Sequence, residues 1–281
     1  TTWSQERLTN VVRSGFHLPG AQKNRSIIDI RRLCSSLQPG FGAIASPRIR
    51  NEIAAGRHFF HVEAGITMEN LYTVLDHQKP RLAVQATGGS RGATLAGTLS
   101  TATHGGEFTF PLLIDRVKAI HLVGPGGEEW WIEGNESIAE FPSFSAVYPN
   151  IDADHFIAGN WTHIECGDTY TPQDVLRAVT VSMGTMGVIY SVVLEVVPAF
   201  GIQQKAKRIG SWADVLLPAA GVTEAQLRAR DAAANRRLLD FILDGERNGT
   251  GISRAENIYI DLSLNPVTRE TWITNRRVTS Q

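Results

Sequence analysis

One stretch of nineteen residues, Gly88–Gly106, consists almost entirely of small side chains and constrains the chain more than any other feature. It reads GGSRGATLAGTLSTATHGG, with six glycines and six serines or threonines. Glycines allow close backbone approach to a ligand and positive φ angles, and successive exposed N–H groups beside hydroxyls can hold phosphate. Ordering such a chain costs about 1–2 kcal/mol per residue in backbone entropy. We therefore expect this glycine-rich segment to bind a phosphate ligand, most naturally a diphosphate linker.

Two common phosphate-binding motifs do not fit the sequence. Gly92–Gly97 has the glycine spacing of a P-loop, but Thr98 and Leu99 stand where Lys and Ser or Thr are required. The cluster Gly124–Gly127 follows one predicted strand and leads into another strand rather than a helix. We reject an ATP-binding P-loop and do not expect a nicotinamide-binding Rossmann domain.

Composition narrows the possible partners. The chain has 281 residues, is 42% hydrophobic, and carries 27 basic and 28 acidic side chains for a net charge of −1. Nucleic-acid and anionic-membrane binding usually need a basic surplus, and no run approaches the roughly 20 apolar residues of a membrane helix. We therefore expect no nucleic-acid partner and no membrane span. The location stays open between secreted and cytoplasmic.

Two further expectations concern the cysteines and the chain ends. Cys34 and Cys166 form no CxxC pair; they could make one disulfide bridge but are expected to be buried thiols, and no metal site is predicted. The chain begins at Thr1 rather than at a methionine. We therefore expect a processed or incomplete product.

Hydrophobic periodicity predicts alternating strands and helices. The predicted strands are Ser26–Leu33, Arg57–Ala64, Arg116–Val123, Glu128–Glu133, Val188–Val197 and Glu256–Leu264; the predicted helices are Thr67–Asp76, Thr171–Val181 and Thr223–Asp244. The Pro-, Asp- and His-rich stretch Phe141–Thr171 is assigned no regular structure. Because composition changes after Phe200, we predict two domains, residues 1–200 and 201–281.

The glycine-rich segment resembles the second FAD-binding loop of the vanillyl-alcohol oxidase / p-cresol methylhydroxylase (PCMH-type) flavoproteins. The sugar- and aldonolactone-oxidase branch of that family reads close to GG-S-x-x-TLAGALSTGTHG there. Three further stretches follow in family order: the predicted strand Ser26–Leu33, the strand–helix sequence VEAGITMENLY at Val62–Tyr72, and VSMGTMGVIYSVVLEVVP at Val181–Pro198. The resemblance covers residues 26 to 200.

The resemblance implies an α+β fold, in which a two-lobed PCMH-type FAD-binding domain is followed by the start of an α+β substrate (cap) domain. It also implies which residues bind FAD. Those lining the pyrophosphate and the flavin would be Thr87, Gly88, Gly89, Ser90, Thr94, Gly97, Ser100, Thr101, Ala102, Thr103, His104 and Gly105. The backbone of Gly187, Val188 and Ile189 would face the adenine side.

Three further points concern His104, Arg91 and the family's first flavin loop. In the matching motif the histidine at His104 supports the loop, so we do not assign it to catalysis. Arg91 is an open case between a phosphate contact and a solvated side chain. The family's first flavin loop, a glycine-rich turn often ending Gly-His-Ser, should precede Ser26, but the chain reads FHLPGAQK from Phe16. Whether the flavin is covalently attached therefore stays open, and no catalytic residue is assigned.

The function implied by the resemblance is FAD-dependent oxidation of an alcohol-bearing small molecule of the sugar, polyol or lactone type. A hydride would pass from a C–H bond to flavin N5, with dioxygen as the expected second acceptor. Two alternatives stay open. One is a different flavin enzyme on the same fold, either a natural-product oxidase or cyclase or a reductase; the other is a non-catalytic remnant that no longer binds FAD.

Overall fold

The computed structural model describes residues 33–86, 88–107, 109–165, 168–211, 258–268 and 270–279. The chain divides into two compact units, Thr1–His104 with Leu112–Ala199 (unit 1), and Gly105–Pro111 with Phe200–Gln281 (unit 2). The chain passes from unit 1 to unit 2 between Ala199 and Phe200. That these units are an FAD-binding domain and part of a cap domain stays a prediction.

The described residues of unit 1 form a six-stranded sheet. Its strands are β1 (His58–Glu63), β2 (Leu82–Ala83), β3 (Val117–Val123), β4 (Glu129–Glu133), β5 (Phe156–Ile157) and β8 (Val188–Pro198). The order is β1-β8-β3-β4-β5, and β2 pairs with β8. Every pairing is antiparallel except that of β4 with β5. A separate exposed hairpin joins β6 (His163–Glu165) to β7 (Asp168–Tyr170).

Six α-helices of unit 1 fall within the described residues. They are α1 (Gln38–Ile44), α2 (Pro47–Ala54), α3 (Met68–Asp76), α4 (Leu95–Ser100), α5 (Phe141–Val147) and α6 (Pro172–Thr180). Short polar side chains begin several of them by accepting a bond from an amide that the helix leaves unpaired. Thr67 accepts from Asn70 N, and Thr171 forms a capping box with Asp174. None of these helices is long and apolar enough to cross a bilayer.

Helices cover both faces of the sheet, because successive strand residues point to opposite sides. Phe60 and Val62 of β1 pack with α3, α4 and α6 on the first face, in one apolar core. Phe59 packs with α1, α2 and α5 in a second core on the other face. Trp131 of β4 is fully buried in that second core, whereas its neighbour Trp130 packs against the first.

The described residues of unit 2 form a three-stranded antiparallel sheet in the order β10-β11-β9. The strands are β9 (Gly201–Ser211), β10 (Tyr259–Leu264) and β11 (Glu270–Thr279). Glu107 adds an isolated antiparallel bridge to Tyr259, at the outer edge of β10.

Most sequence predictions in the described residues are confirmed. The strands β1, β3, β4, β8 and β10 and the helices α3 and α6 lie where periodicity placed them, and the α+β class is correct. The interpretation of Phe141–Thr171 was wrong, because α5, β5, β6 and β7 lie there. Aromatic side chains stabilise this part: Phe144 stacks on Tyr148 at 4.8 Å.

One other prediction is wrong, and three more lie wholly or mostly outside the described residues. Cys34 is a free, exposed cysteine rather than a buried thiol, because it lies in an irregular stretch just before α1. Cys166 lies outside the described residues. So do the predicted helix Thr223–Asp244 and nearly all of the predicted strand Ser26–Leu33.

Candidate functional site

The glycine-rich segment begins with a run of solvent-facing amides. Gly89, Ser90, Arg91 and Gly92 are exposed, and Gly88 is half-buried. Within the described part of the chain, the backbone N–H groups of these five residues have no hydrogen-bond acceptor. Because backbone amides are obligatory donors, this run can accept an anion without breaking any bond of the fold. Thr87, which precedes it, lies outside the described residues.

The two ends of the segment lie against each other. A Cβ added to Gly88 would come within 2.5 Å of Thr103 Cγ2, so only glycine allows the approach. The glycines do not act through unusual backbone angles as expected, since none of the six in the segment, all described, has a positive φ. The left-handed position is taken by Ala102, at φ 49°, just after α4. The segment therefore folds back on itself through close packing.

The middle of the segment is helix α4, and its first amides are already engaged. Leu95 N donates to Ile66 O (2.8 Å), and Ala96 N donates to Ala64 O (2.9 Å). Gly97 N donates to the hydroxyl of Thr94, which caps the helix. Thr94 and Gly97 therefore shape the segment, while the amides that can reach a ligand come before them.

After α4 the chain turns back with its hydroxyls paired. Thr101 Oγ1 donates to Gly97 O at 3.0 Å and lies 2.8 Å from Thr103 Oγ1. Ser100 O accepts a bond from Met183 N (3.2 Å), which ties this end to the turn before β8. His104 is exposed, and Gly105, the next residue, is counted with unit 2.

The second predicted stretch, Gly187–Ile189, begins strand β8. Gly187 has φ 146°, and a Cβ there would meet Val123 O at 2.5 Å, so this position requires glycine. Val188 and Ile189 pair with Val123 and Leu122 of β3, whereas β1 pairs with β8 only from Ser191 onward. Within the described part of the chain, one backbone edge of Val188 and Ile189 is therefore left without a strand partner.

Hydrogen bonds bring the two predicted stretches together. Ala64 links them, because its carbonyl accepts from Ala96 N of α4 and its own N–H donates to Tyr190 O of β8 at 2.8 Å. The turn between α6 and β8 adds exposed apolar surface here, with Met183 70% and Met186 45% exposed. The structure thus places an amide-rich segment, an open strand edge and an apolar turn in one region of unit 1.

The charge of Arg91 lies within this region of unit 1, whereas a cavity of unit 1 lies outside it. The guanidinium of Arg91 is exposed and makes no ion pair among the described residues, so it is available to a phosphate. A cavity of about 470 Å³ lies elsewhere, between α6 and the start of β3. Its walls include Lys118 and Glu136, which pair with each other at 3.4 Å.

Sequence reasoning missed a set of buried polar side chains on the second face of the sheet. His61 Nε2 lies 2.9 Å from Ser191 Oγ, and burial, with the nearby His121, lowers the pKa of His61 to about 3. The carboxylate of Glu133 accepts bonds from Trp131 Nε1 and from the amides of Ile138 and Ala139. Burial outweighs these bonds and raises the pKa of Glu133 to about 7. Their only sequence signal is a polar residue inside an apolar strand.

The described residues fit a dinucleotide diphosphate. Unpaired amides and the hydroxyl of Ser90 lie at one end of the glycine-rich segment, and Arg91 can supply a positive charge. An exposed apolar turn next to the segment matches the aromatic part of such a ligand.

Comparison with known proteins adds distant structural likenesses only. No family model and no curated protein matches the sequence. Two structures of cholesterol oxidase from Brevibacterium sterolicum, one of them a histidine-to-alanine mutant, are similar at a TM-score of 0.45 and 14% identity, covering 79% of this chain and 32% of theirs. A solvent-stable cholesterol oxidase is similar at a TM-score of 0.45 and 16% identity, covering 80% of this chain and 33% of its own. The chain thus spans about a third of their length, and its place in the PCMH-type family stays a prediction.

Proposed function

We propose that this chain binds FAD through the glycine-rich segment and that the protein it belongs to oxidises an alcohol-bearing small molecule. The observation that carries the proposal is the run of exposed, acceptor-free amides from Gly88 to Gly92, at the start of a segment whose ends are packed together. The reaction class comes from the sequence resemblance to PCMH-type flavoproteins. The substrate would be a sugar, polyol or lactone, with dioxygen as the second acceptor.

The protein's own residues would hold and orient the cofactor. The amides of Gly88–Gly92, the hydroxyl of Ser90 and the guanidinium of Arg91 would bind the diphosphate, whose charge they offset. The open backbone edge of Val188 and Ile189 would meet the adenine side. When bound, FAD would supply hydride acceptance, chemistry that no amino-acid side chain provides. The proposal also includes an FAD-binding domain with the two lobes that are typical of the PCMH-type family.

The visible spectrum of the full-length protein tests the cofactor. A purified protein with the flavin absorption band supports the proposal, and a protein that stays colourless after incubation with FAD contradicts it and favours a remnant. Peroxide release is then measured with panels of sugars, polyols and lactones. Peroxide from one panel names the substrate class, whereas a coloured protein that reduces its flavin with none of them contradicts the oxidation of alcohols.

The variant Arg91→Ala tests the diphosphate contact within the same assay. We expect weaker FAD binding and an unchanged spectrum of the bound flavin, because the charge contacts phosphate and not the ring. Arg81→Ala is the matched control, because Arg81 is an exposed arginine whose ion pair is with Asp76. Equal FAD affinity in both variants would exclude Arg91 from the site.

A further inference from the structure

Four polar side chains form a row across the sheet of unit 2. Glu107 lies opposite Tyr259, Tyr259 opposite Arg276, and Arg276 opposite Gln204. Residues directly opposite each other in antiparallel strands share a face of the sheet. The row therefore places a carboxylate, a phenol ring, a guanidinium and an amide side by side on one surface.

Arg276 is fixed by its neighbours in the row. Its Nε donates to Gln204 Oε1 at 2.8 Å, and its guanidinium carbon lies 4.2 Å from the centre of the Tyr259 ring. Its Nη1 lies 3.7 Å from Glu107 Oε1, close enough for an ion pair but longer than a hydrogen bond. A guanidinium held in this way keeps further N–H donors free for another acceptor.

Glu107 has a buried oxygen that nothing in the described chain satisfies. The side chain is only 9% exposed, and its Oε2 has no hydrogen-bond partner among the described residues. Gly106 allows Glu107 to come this close to the sheet, because a Cβ there would lie 2.7 Å from the Tyr259 ring. Buried acceptors are nearly always paired, and an unpaired one is destabilising. A donor on a bound ligand would account for this atom.

The charges around Oε2 select the chemistry of that donor. An ammonium group could donate to Glu107, but it would be repelled by Arg276 at close range. A carboxylate or phosphate could accept from Arg276, but it would be repelled by Glu107. Of these three kinds of group, only a neutral hydroxyl both donates and accepts, so it satisfies the two side chains together.

We propose that Glu107 and Arg276 bind a hydroxyl group of the substrate, with its O–H donating to Glu107 Oε2 and its oxygen accepting from Arg276. The site lies wholly within unit 2, and it rests on the proposed function only for the identity of the ligand as an alcohol. Glu107 and Arg276 are therefore substrate-binding residues that determine specificity for a neutral alcohol over an amine or an acid.

The test uses crystals of the full-length protein soaked with 2-propanol or with 2-propylammonium, two probes with one carbon skeleton. In the wild type we expect the hydroxyl of 2-propanol within about 3.2 Å of Glu107 Oε2, and no 2-propylammonium at that place. Glu107→Gln should lose the alcohol. Glu270→Gln should keep it, because Glu270 lies on the same sheet and pairs only with the exposed Arg208 among the described residues.

Kinetics with the alcohol found in the peroxide screen give a second readout. Losing a hydrogen bond to a charged group should raise KM about 10- to 100-fold in Glu107→Gln, while the flavin absorption and the KM of Glu270→Gln stay unchanged. An unchanged KM, or 2-propylammonium at Oε2, overturns the inference. A colourless protein that holds 2-propanol at Glu107 contradicts the proposed function alone. A flavin-coloured protein whose Oε2 holds only water contradicts this inference alone.

Discussion

At the scale of single residues, close packing explains three glycines in and around the candidate site, and at Gly187 the φ of 146° requires glycine as well. Gly88 faces the methyl group of Thr103, Gly187 faces Val123 O, and Gly106 faces the ring of Tyr259. In each case a Cβ would come closer than 3.0 Å to its neighbour, a separation that side chains essentially never show. Each of these glycines thus marks a point at which the backbone packs closely against a neighbouring side chain or carbonyl group.

The contact at Gly88 can be tested by a pair of substitutions. Gly88→Ala should lower the free energy of unfolding by about 1–3 kcal/mol, because the new methyl group overpacks against Thr103. Gly89→Ala is the matched control, because nothing lies within 4 Å of its added Cβ; it should change stability by less than about 0.5 kcal/mol. Urea unfolding of both variants provides the comparison, and equal midpoints would show that the segment does not fold back.

At the scale of secondary-structure elements, a cluster of charges ties the strand ends of unit 1 together. Arg57, just before β1, lies 2.8 Å from Glu195 of β8, and Lys118 of β3 reaches Glu195 at 2.9 Å. Arg57 also contacts Glu52 of α2 at 2.6 Å and Glu136 after β4. Burial raises the pKa of Glu195, but the bonds from Arg57 and Lys118 outweigh this and bring it down to about 2. The contacts with Glu136, Glu195 and Glu52 raise the pKa of Arg57 above its ordinary value.

This cluster makes stability depend on pH in a defined window. The folded-state pKa of Glu195 is depressed, so its contribution is complete above the ordinary value of 4.5 and is lost as the pH falls through about 2. Glu195→Gln should reduce stability at neutral pH by about 2 kcal/mol, and the difference from wild type should shrink below pH 4.5. Denaturant unfolding across this range measures it. Glu69→Gln, at an exposed helical position, is the control, and a pH-independent difference would contradict the assignment.

The cap of α4 can be isolated in the same way. Thr94→Ala removes the hydroxyl that accepts from Gly97 N, and should cost about 1 kcal/mol of stability. Thr94→Ser keeps the hydroxyl and should retain most of that stability. Thermal unfolding of the two variants separates the contribution of the cap from that of the Thr94 methyl group. Equal losses of stability in both variants would mean that the methyl group contributes more than the cap.

How far the sequence predicts these elements depends on where their signal lies. Strand β8 and helix α6 follow from local patterns, a β-branched run in one and Thr171 with Asp174 in the other. Helix α5 was missed because its N-cap residue, Glu140, forms no side-chain cap bond and its apolar face depends on Trp131, which comes from a distant strand. The glycine-rich segment was found from composition alone. The sequence could not show which amides of the segment lack an acceptor in the described chain, because the first amides of α4 find theirs at the carbonyl oxygens of Ala64 and Ile66.

At the scale of the whole molecule, the proposal concerns a cofactor held by its phosphates. A ligand that binds only the folded protein stabilises it by mass action. Among the contacts that unit 1 offers to FAD, the polar and charged ones are amides, hydroxyls and the exposed Arg91, which recognise phosphate rather than the flavin ring. Contacts with the phosphates should therefore account for most of the free energy by which bound FAD stabilises the folded protein.

Thermal unfolding of the full-length apoprotein with three ligands tests this directly. FAD at about one hundred times its Kd should add about 2.7 kcal/mol to the free energy of unfolding. ADP, which carries the diphosphate and adenine, should give part of this effect, and riboflavin, which has no phosphate, should give almost none. Stabilisation by riboflavin equal to that by FAD would contradict phosphate anchoring.

The contact between Gly88 and Thr103 also bears on the energetics of recognition. Because this contact forms when the polypeptide folds, the entropy of ordering the amide run is spent before any dinucleotide arrives. Binding then meets a preorganised surface and loses little affinity to loop closure. Changes far from the segment that loosen unit 1 should therefore weaken cofactor retention as well, even when every amide that contacts the phosphates is intact.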